Sequence, residues 1–222
     1  MDYIICAVIG YFVGTINPSF FLAKLNGVDI KKKGSGNAGA SNVIILFGKL
    51  AGLICAVLDI LKAYLAIRLT QMLFPDLREA LAVTGVCCII GHIFPFYMHF
   101  KGGKGLACLG GMILAFNWRV FLIMLFGAVV IALITDYLCF VPVTASSVFP
   151  VVYGVMRRSY RGTFILSIAA IVIFLRHLEN FRRMRTGTEM RFSYLWKPEA
   201  EIARIAGNVD ESEDAVNEHF LR

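Results

Sequence analysis

The sequence predicts an all-α protein, a polytopic transmembrane helical bundle with about seven membrane helices (five to seven), some of them half-length. Three observations lead there. Of 222 residues 58% are hydrophobic and only 17% charged, whereas a soluble domain averages about 25% charged. Apolar runs recur along the chain and several approach the roughly 20 residues that a helix needs to cross hydrocarbon. Finally, the 22 Lys and Arg outnumber 15 acids and gather in short loops between the apolar runs, which is the positive-inside pattern. The basic balance therefore belongs to membrane topology and argues against nucleic acid as a partner.

The first span is expected from about Tyr3 to Ala23, interrupted by Gly14 and Asn17-Pro18, where Pro18 removes a backbone donor and kinks the helix. It lacks a basic leader and a small-residue cleavage site, so it reads as a retained anchor and not a signal peptide. A polar loop, Lys24 to Ser41, follows, and a second apolar run covers about Val43 to Leu73 until Phe74-Pro75-Asp76 ends it. The third span, about Glu79 to Tyr97, leads into a loop rich in glycine and lysine. Beyond it lie apolar segments at about Leu106–Phe116, Val120–Ile134, Leu138–Met156 and Thr163–Leu175. The first and last of these are too short for a full span, and read as half-membrane helices or parts of longer kinked ones.

A basic amphipathic stretch then runs from Arg176 to Arg191. The polar, acidic tail after Trp196 is expected to be solvated with weak helicity at best, so residues 1–195 form one integral-membrane domain and 196–222 a polar cytoplasmic tail. The six cysteines lie in or beside apolar segments without metal-finger spacing and read as small buried hydrophobes.

Charge sets the orientation. The loops at 24–33, 99–104 and 176–191 are the richest in Lys and Arg and face the cytoplasm, which puts the N-terminus outside and the C-terminus in the cytoplasm. Three crossings then precede the glycine-lysine loop, and either four or two follow it. Four would put Arg157-Arg158-Ser159-Tyr160-Arg161 outside, against the rule; two would make 163–175 a dip that does not span.

Three polar loops carry the chemistry. The first, Gly34-Ser35-Gly36-Asn37-Ala38-Gly39-Ala40-Ser41-Asn42, is rich in donors and opens onto a helix whose N-terminus is a natural anion site. An ordinary turn with Ser41 or Asn42 as cap is the plain alternative. The second, Gly91 to Gly105, holds His92, Lys101, Gly102, Gly103, Lys104 and Gly105 around an aromatic run. Glycines admit a close-lying ligand and lysines add charge, so a phosphate suits it; a snorkelling interfacial turn is the alternative. His92 lies just inside the apolar run, where an ionisable group is costly. In the third, Arg176, Asn180 and Arg183 share one helical face with His177 one step round. That stripe suits an anionic substrate, or equally a lipid-headgroup surface. Asp59 and Lys62 add an intramembrane ion-pair candidate at i, i+3.

The ordered set Gly34-Ser35-Gly36-Asn37-x-Gly39-Ala40-x-Asn42-Val43, then Gly91-His92-x-x-Pro95 through Phe100-Lys101-Gly102-Gly103-Lys104-Gly105, then Arg176-His177-x-x-Asn180 through Glu189 resembles the bacterial acyl-phosphate:glycerol-3-phosphate acyltransferase family (PlsY). The resemblance covers about residues 3–195. It implies a multi-pass protein of the bacterial inner membrane with its active site toward the cytoplasm. Such an enzyme transfers a fatty acyl group from acyl phosphate to the 1-hydroxyl of sn-glycerol 3-phosphate, giving lysophosphatidic acid and phosphate for phospholipid biosynthesis. It also implies no metal, no cofactor, and membrane lipid as the surroundings. On this basis Ser35, His177, Asn180 and Lys104 are the expected catalytic residues. Gly34, Gly36, Asn37, Asn42, His92, Lys101, Gly102, Gly103, Gly105, Arg176, Arg183 and Glu189 are expected to bind substrate or phosphate, the backbone N–H groups of Gly102–Gly105 among the donors.

The chain departs from the family pattern at five positions. Ile45 stands where Arg is usual, Cys139 where the family has a serine, Ser41 and Cys108 where it has threonine, and Ala63 where it has glycine. Losing a guanidinium at 45 removes a bidentate phosphate partner. Ile45 and Cys139 therefore set up the alternative expectation, a non-catalytic or altered-substrate paralogue that binds a lipid precursor.

Overall fold

The computed structural model describes residues 1–208. Its helices are α1 (Asp2–Thr15), α2 (Pro18–Leu25), α3 (Ala40–Phe47), α4 (Lys49–Leu73), α5 (Ala80–Ile93), α6 (Leu106–Phe116), α7 (Trp118–Thr135), α8 (Phe140–Arg157) and α9 (Tyr160–Arg185), followed by α10 (198–208). Short 3-10 turns cover Phe96–Met98 and Phe192–Leu195, and no strand occurs among the described residues. Among the described residues six segments are long and apolar enough to cross a membrane, and α6 is a shorter apolar helix. The protein is a multi-pass membrane protein.

The first span is broken where a kink was expected. Asn17 accepts from Phe20 N at 2.8 Å and so caps α2, with Pro18 at the first helical position, where its missing N–H costs nothing. The carbonyls left open at the end of α1 are satisfied from α4: Lys62 Nζ donates to Gly14 O at 3.0 Å and to Ile16 O. The second apolar run is also two helices, because Gly48 at φ 88° turns the chain between α3 and α4. The last apolar segment, by contrast, is part of one continuous 26-residue helix, α9.

Contacts between loops fix which helix ends lie together. At one end Tyr3 donates to Glu79, Ser159 donates to Glu79 at 2.7 Å, and Arg78 donates to the carbonyls of Arg157 and Arg158. At the other end Lys31 donates to Met98 O, Lys104 to Asn180, and Ser193 to Asp136. The chain thus alternates between ends through α1–α2, α4, α5, α6, α7, α8 and α9, a seven-pass path in which residues 157–161 sit away from the three polar loops. The pass by α6 has 11 residues, about 16 Å of helix, or half the hydrocarbon thickness.

Helix α5 is the centre of the bundle, with 67% of its span buried, against 6% for α7 on the periphery. Small residues let α1 lie against α5: a Cβ on Gly14 would strike the Cys88 backbone, and one on Gly91 the Tyr11 carbonyl. Phe149 and Tyr153 of α8 and Leu166 and Ile173 of α9 close the core around it.

Candidate active site

The glycine-lysine loop rests on a buried ionic cluster. After the 3-10 turn the chain reverses through His99 and Phe100, both left-handed at φ 53° and 56°, conformations that side chains with a Cβ adopt at a cost of about 1–2 kcal/mol each. The loop then lies back on the end of α5, with Gly102 N donating to Ile93 O at 2.8 Å and Gly103 N to His92 O at 3.1 Å. A Cβ at Gly103 would collide with the His92 imidazole. Beneath it His92 Nδ1 is 3.0 Å from Lys62 Nζ and 3.3 Å from Asp59 Oδ1, and Lys62 and Asp59 pair at 2.7 Å. Asp59, His92 and Cys108 bring potential ligand atoms within 4.8 Å of one another, but the Lys62 ammonium already supplies a cation there. His92 therefore supports the loop from below.

The same contacts redistribute the expected backbone donors. The N–H groups of Gly102 and Gly103 are committed to carbonyls. Those of Lys104 and Gly105 make no hydrogen bond among the described residues, and the first turn of α6 directly follows. The donors left open therefore lie at the far end of the loop and the α6 N-terminus, a position whose chemistry suits an anion.

Lys104 links this loop to α9. Its Nζ donates to Asn180 Oδ1 at 2.5 Å. Asn180 Nδ2 donates to Glu189 Oε1 at 2.5 Å, Arg183 Nε to Glu189 Oε2 at 2.7 Å, and Arg183 Nη1 to Glu179 at 2.8 Å. Burial and the neighbouring Arg183 and Arg176 charges pull the Lys104 pKa down to about 8, against the opposing pull of Glu189 and Glu179. Arg176 stacks over Phe94 at 6.0 Å, and its Nε is buried without a partner. Three cations thus converge, with Glu189 the buried carboxylate among them and Glu179 exposed. The surplus of positive charge suits an anionic ligand.

His177 is buried one step round the helix. Its Nδ1 lies 2.7 Å from Ile173 O. A carbonyl only accepts, so Nδ1 carries the proton and donates, and in the neutral ring Nε2 keeps its lone pair.

The first loop is built around Asn42, which is fully buried. Its Nδ2 donates to Ile30 O and Lys33 O, both at 3.0 Å, and its Oδ1 accepts from Ser35 N at 2.8 Å. Asn42 therefore shapes the loop instead of presenting itself to a ligand. Gly34 and Gly36 take left-handed turns, Asn37 is half-buried against Gly39, and the Ser35 side chain is exposed, as is Lys101. Lys31 ties this loop to the second one through Met98 O at 2.5 Å, and Asn17 reaches it through Ala38 O at 2.9 Å.

Cys139 is buried beside this network: its thiol lies 3.3 Å from Met184 Sδ, and burial with the Glu189 charge pushes it up to about 11. Ile45 is half-buried on α3, one turn from Asn42. Residues that sequence reasoning passed over include Lys31, which counts there only among the basic residues of the 24–33 loop. Asp136 is another: its carboxylate accepts from Ser193 N at 2.7 Å and from Ser193 Oγ at 2.9 Å. Up to Asn208 the polar tail is helical and packed, with Asn208 Nδ2 donating to Gly187 O at 2.9 Å. Its acidic run, Asp210 to Asp214, lies outside the described residues.

Comparison with known proteins places these features in context. A family model described as glycerol-3-phosphate acyltransferase matches residues 4–187. Glycerol-3-phosphate acyltransferase 2 of Thermotoga maritima is 34% identical over 192 residues, 86% of this chain and 97% of that protein. The enzyme of that name from Lactiplantibacillus plantarum is 33% identical over 92% of this chain and 100% of its own. The fold matches the crystal structure of PlsY (YgiH), an integral membrane glycerol 3-phosphate acyltransferase, in its glycerol 3-phosphate form: TM-score 0.80 and 31% identity over 88% of this chain and 98% of that one. The lysophosphatidic acid form matches with a TM-score of 0.76 and 30% identity, over 86% of this chain and 95% of that one.

Proposed function

The chain belongs to the glycerol-3-phosphate acyltransferase family, and on that footing we propose that it transfers a fatty acyl group from acyl phosphate to the 1-hydroxyl of sn-glycerol 3-phosphate, yielding lysophosphatidic acid and inorganic phosphate. The observation that carries the reading is the Lys104–Asn180 hydrogen bond. It joins a glycine loop to a basic helix and concentrates positive charge at one end of a lipid-soluble bundle, where a water-soluble phosphate and a lipid-soluble acyl donor both have access.

Acyl phosphate is already activated, so positioning and charge neutralisation account for most of the catalysis required. Lys104, the free N–H groups of Lys104 and Gly105 and the α6 N-terminus hold one phosphate. Ser35, Asn180 and Arg183 take the other, with Arg176 adding charge. The hydroxyl oxygen attacks the acyl carbonyl carbon while the bond from that carbon to the phosphate oxygen breaks and phosphate leaves. His177 Nε2, with Nδ1 held by the Ile173 carbonyl, accepts the hydroxyl proton. The three basic loops share one end of the bundle, which the positive-inside rule assigns to the cytoplasm. With relatives of this name in bacteria, the location proposed is the bacterial cell (inner) membrane. Residues 1–195 act as the acyltransferase domain.

Purified protein given acyl phosphate and radiolabelled glycerol 3-phosphate forms lysophosphatidic acid and phosphate in a one-to-one ratio on this reading. Phosphate release without the lipid, or no product at all, overturns it.

A further inference from the structure

The loop that carries Glu189 is clamped at both ends by α10, beyond the residues 4–187 that the family model matches. Arg204 Nη1 donates to Gly187 O and Nη2 to Glu189 O at 2.7 Å. The same guanidinium is held in a fork by Glu201, with Nε to Oε2 at 2.9 Å and Nη2 to Oε1 at 2.6 Å. Glu201 is buried, 5% exposed, and its Oε1 also accepts from Arg191 N at 2.7 Å. One ion pair thus grips the backbone at 187, 189 and 191. A planar, five-donor head is the side chain suited to hold a carboxylate and two carbonyls together.

We propose that Arg204 and Glu201 are positioning residues for the site, fixing the 187–191 backbone so that the Glu189 carboxylate stays on Asn180 and Arg183 and Asn180 stays on Lys104. The inference rests on the functional reading of that network. The line of force runs from Arg204 through the Glu189 main chain to its carboxylate, then to Asn180 Nδ2 and through Asn180 Oδ1 to Lys104. Without the clamp the loop past the end of α9 keeps the bonds from Thr188 N and Glu189 N to Arg183 O and from Asn208 to Gly187 O, but loses those that hold the Glu189 carbonyl and the Arg191 N–H, which loosens Glu189 on its partners. Lys104 is the reporter, because Glu189 favours its charged form while Arg176 and Arg183 oppose it. Glu179 faces it from α9, and Cys139 and His177 lie within reach of its field.

The test uses full-length protein in lipid nanodiscs, with Arg204→Ala, Arg204→Lys and Glu201→Gln, the last guarding against a fold lost in the alanine variant. Hydrogen–deuterium exchange reads the loop without reference to activity. Peptides covering 186–192 exchange at least about tenfold faster in Arg204→Ala than in wild type, while α5 peptides are unchanged. Arg204→Lys and Glu201→Gln fall between. In turnover assays kcat/KM for glycerol 3-phosphate falls about tenfold, and its alkaline limb moves to lower pH, which a general loss of stability would not produce. Unchanged exchange at 186–192 overturns the proposal whatever the activity. So does faster exchange in Arg204→Ala with an unmoved pH limb and wild-type kcat/KM. A wild-type protein with no turnover overturns the functional reading instead, and exchange then decides the clamp alone.

Discussion

Raising the pH should remove the charge on Lys104 well before that of an ordinary lysine. The group is held at about 8 instead of 10.5 by burial and by Arg183. With that value it is about 90% charged at pH 7 and about 10% charged at pH 9, so a kcat/KM that requires the cation drops about tenfold over the interval. An ordinary lysine would lose about 3% of its charge over the same range. The assay is lysophosphatidic acid formation at limiting glycerol 3-phosphate, as initial rates from pH 7 to 9.5, for wild type and Lys104→Arg. Arginine stays charged throughout, so the variant, though slower because its head group does not reproduce the Asn180 hydrogen bond, shows no alkaline limb. Loss of the fold cannot mimic the effect. Because the folded value is depressed, the folded chain binds fewer protons than the unfolded chain between about pH 8 and 10.5, and the contribution of Lys104 to stability rises with pH across that window. A wild-type rate flat to pH 9.5, or the same limb in Lys104→Arg, refutes the reasoning.

Replacing His177 with alanine should lower kcat by about 100-fold or more, the usual contribution of a positioned base; unchanged turnover with acyl phosphate removes it from the mechanism. Gly103→Ala pushes a methyl into the buried His92 imidazole, costing about 1–3 kcal/mol as overpacking and at least tenfold in activity. Gly127→Ala, in open space inside α7, leaves activity unchanged and does not destabilise the fold, since alanine favours a helix interior over glycine; thermal unfolding in detergent with turnover checks both. Ile45→Arg should lower KM for glycerol 3-phosphate severalfold if position 45 faces the phosphate, and an unchanged KM shows that it does not.

The helical class was legible from composition and span length, and the gathering of the polar loops at one end from the distribution of Lys and Arg, whereas the sequence left the number of passes open between five and seven. The interruption at Asn17-Pro18 was legible as well, but not how it is closed: the Asn17 side chain caps α2 while Lys62 closes α1 from another helix. The break at Gly48 was not legible, because it divides a run that is apolar on both sides. Within the site, residue types pointed to a phosphate loop, yet which amide donors stay free depends on how the loop packs on α5. Gly102 and Gly103 turn out to face carbonyls, and His92 lies beneath them. The segment after Trp196 reads as solvated because it is polar and carries the acidic run Asp210 to Asp214. Up to Asn208 its order comes from the Glu201–Arg204 pair reaching backbone carbonyls, a tertiary contact with no local signature. Ile45 and Cys139 raised the alternative of a re-purposed paralogue, but Cys139 lies beside an intact Lys104–Asn180–Glu189 network.

The choice of donor is the most direct test of acyl-phosphate-dependent transfer. Lysophosphatidic acid formation by purified wild-type protein, measured side by side with acyl phosphate, acyl coenzyme A and acyl carrier protein thioester, should give product from acyl phosphate alone. Product from a thioester and none from acyl phosphate would contradict the account.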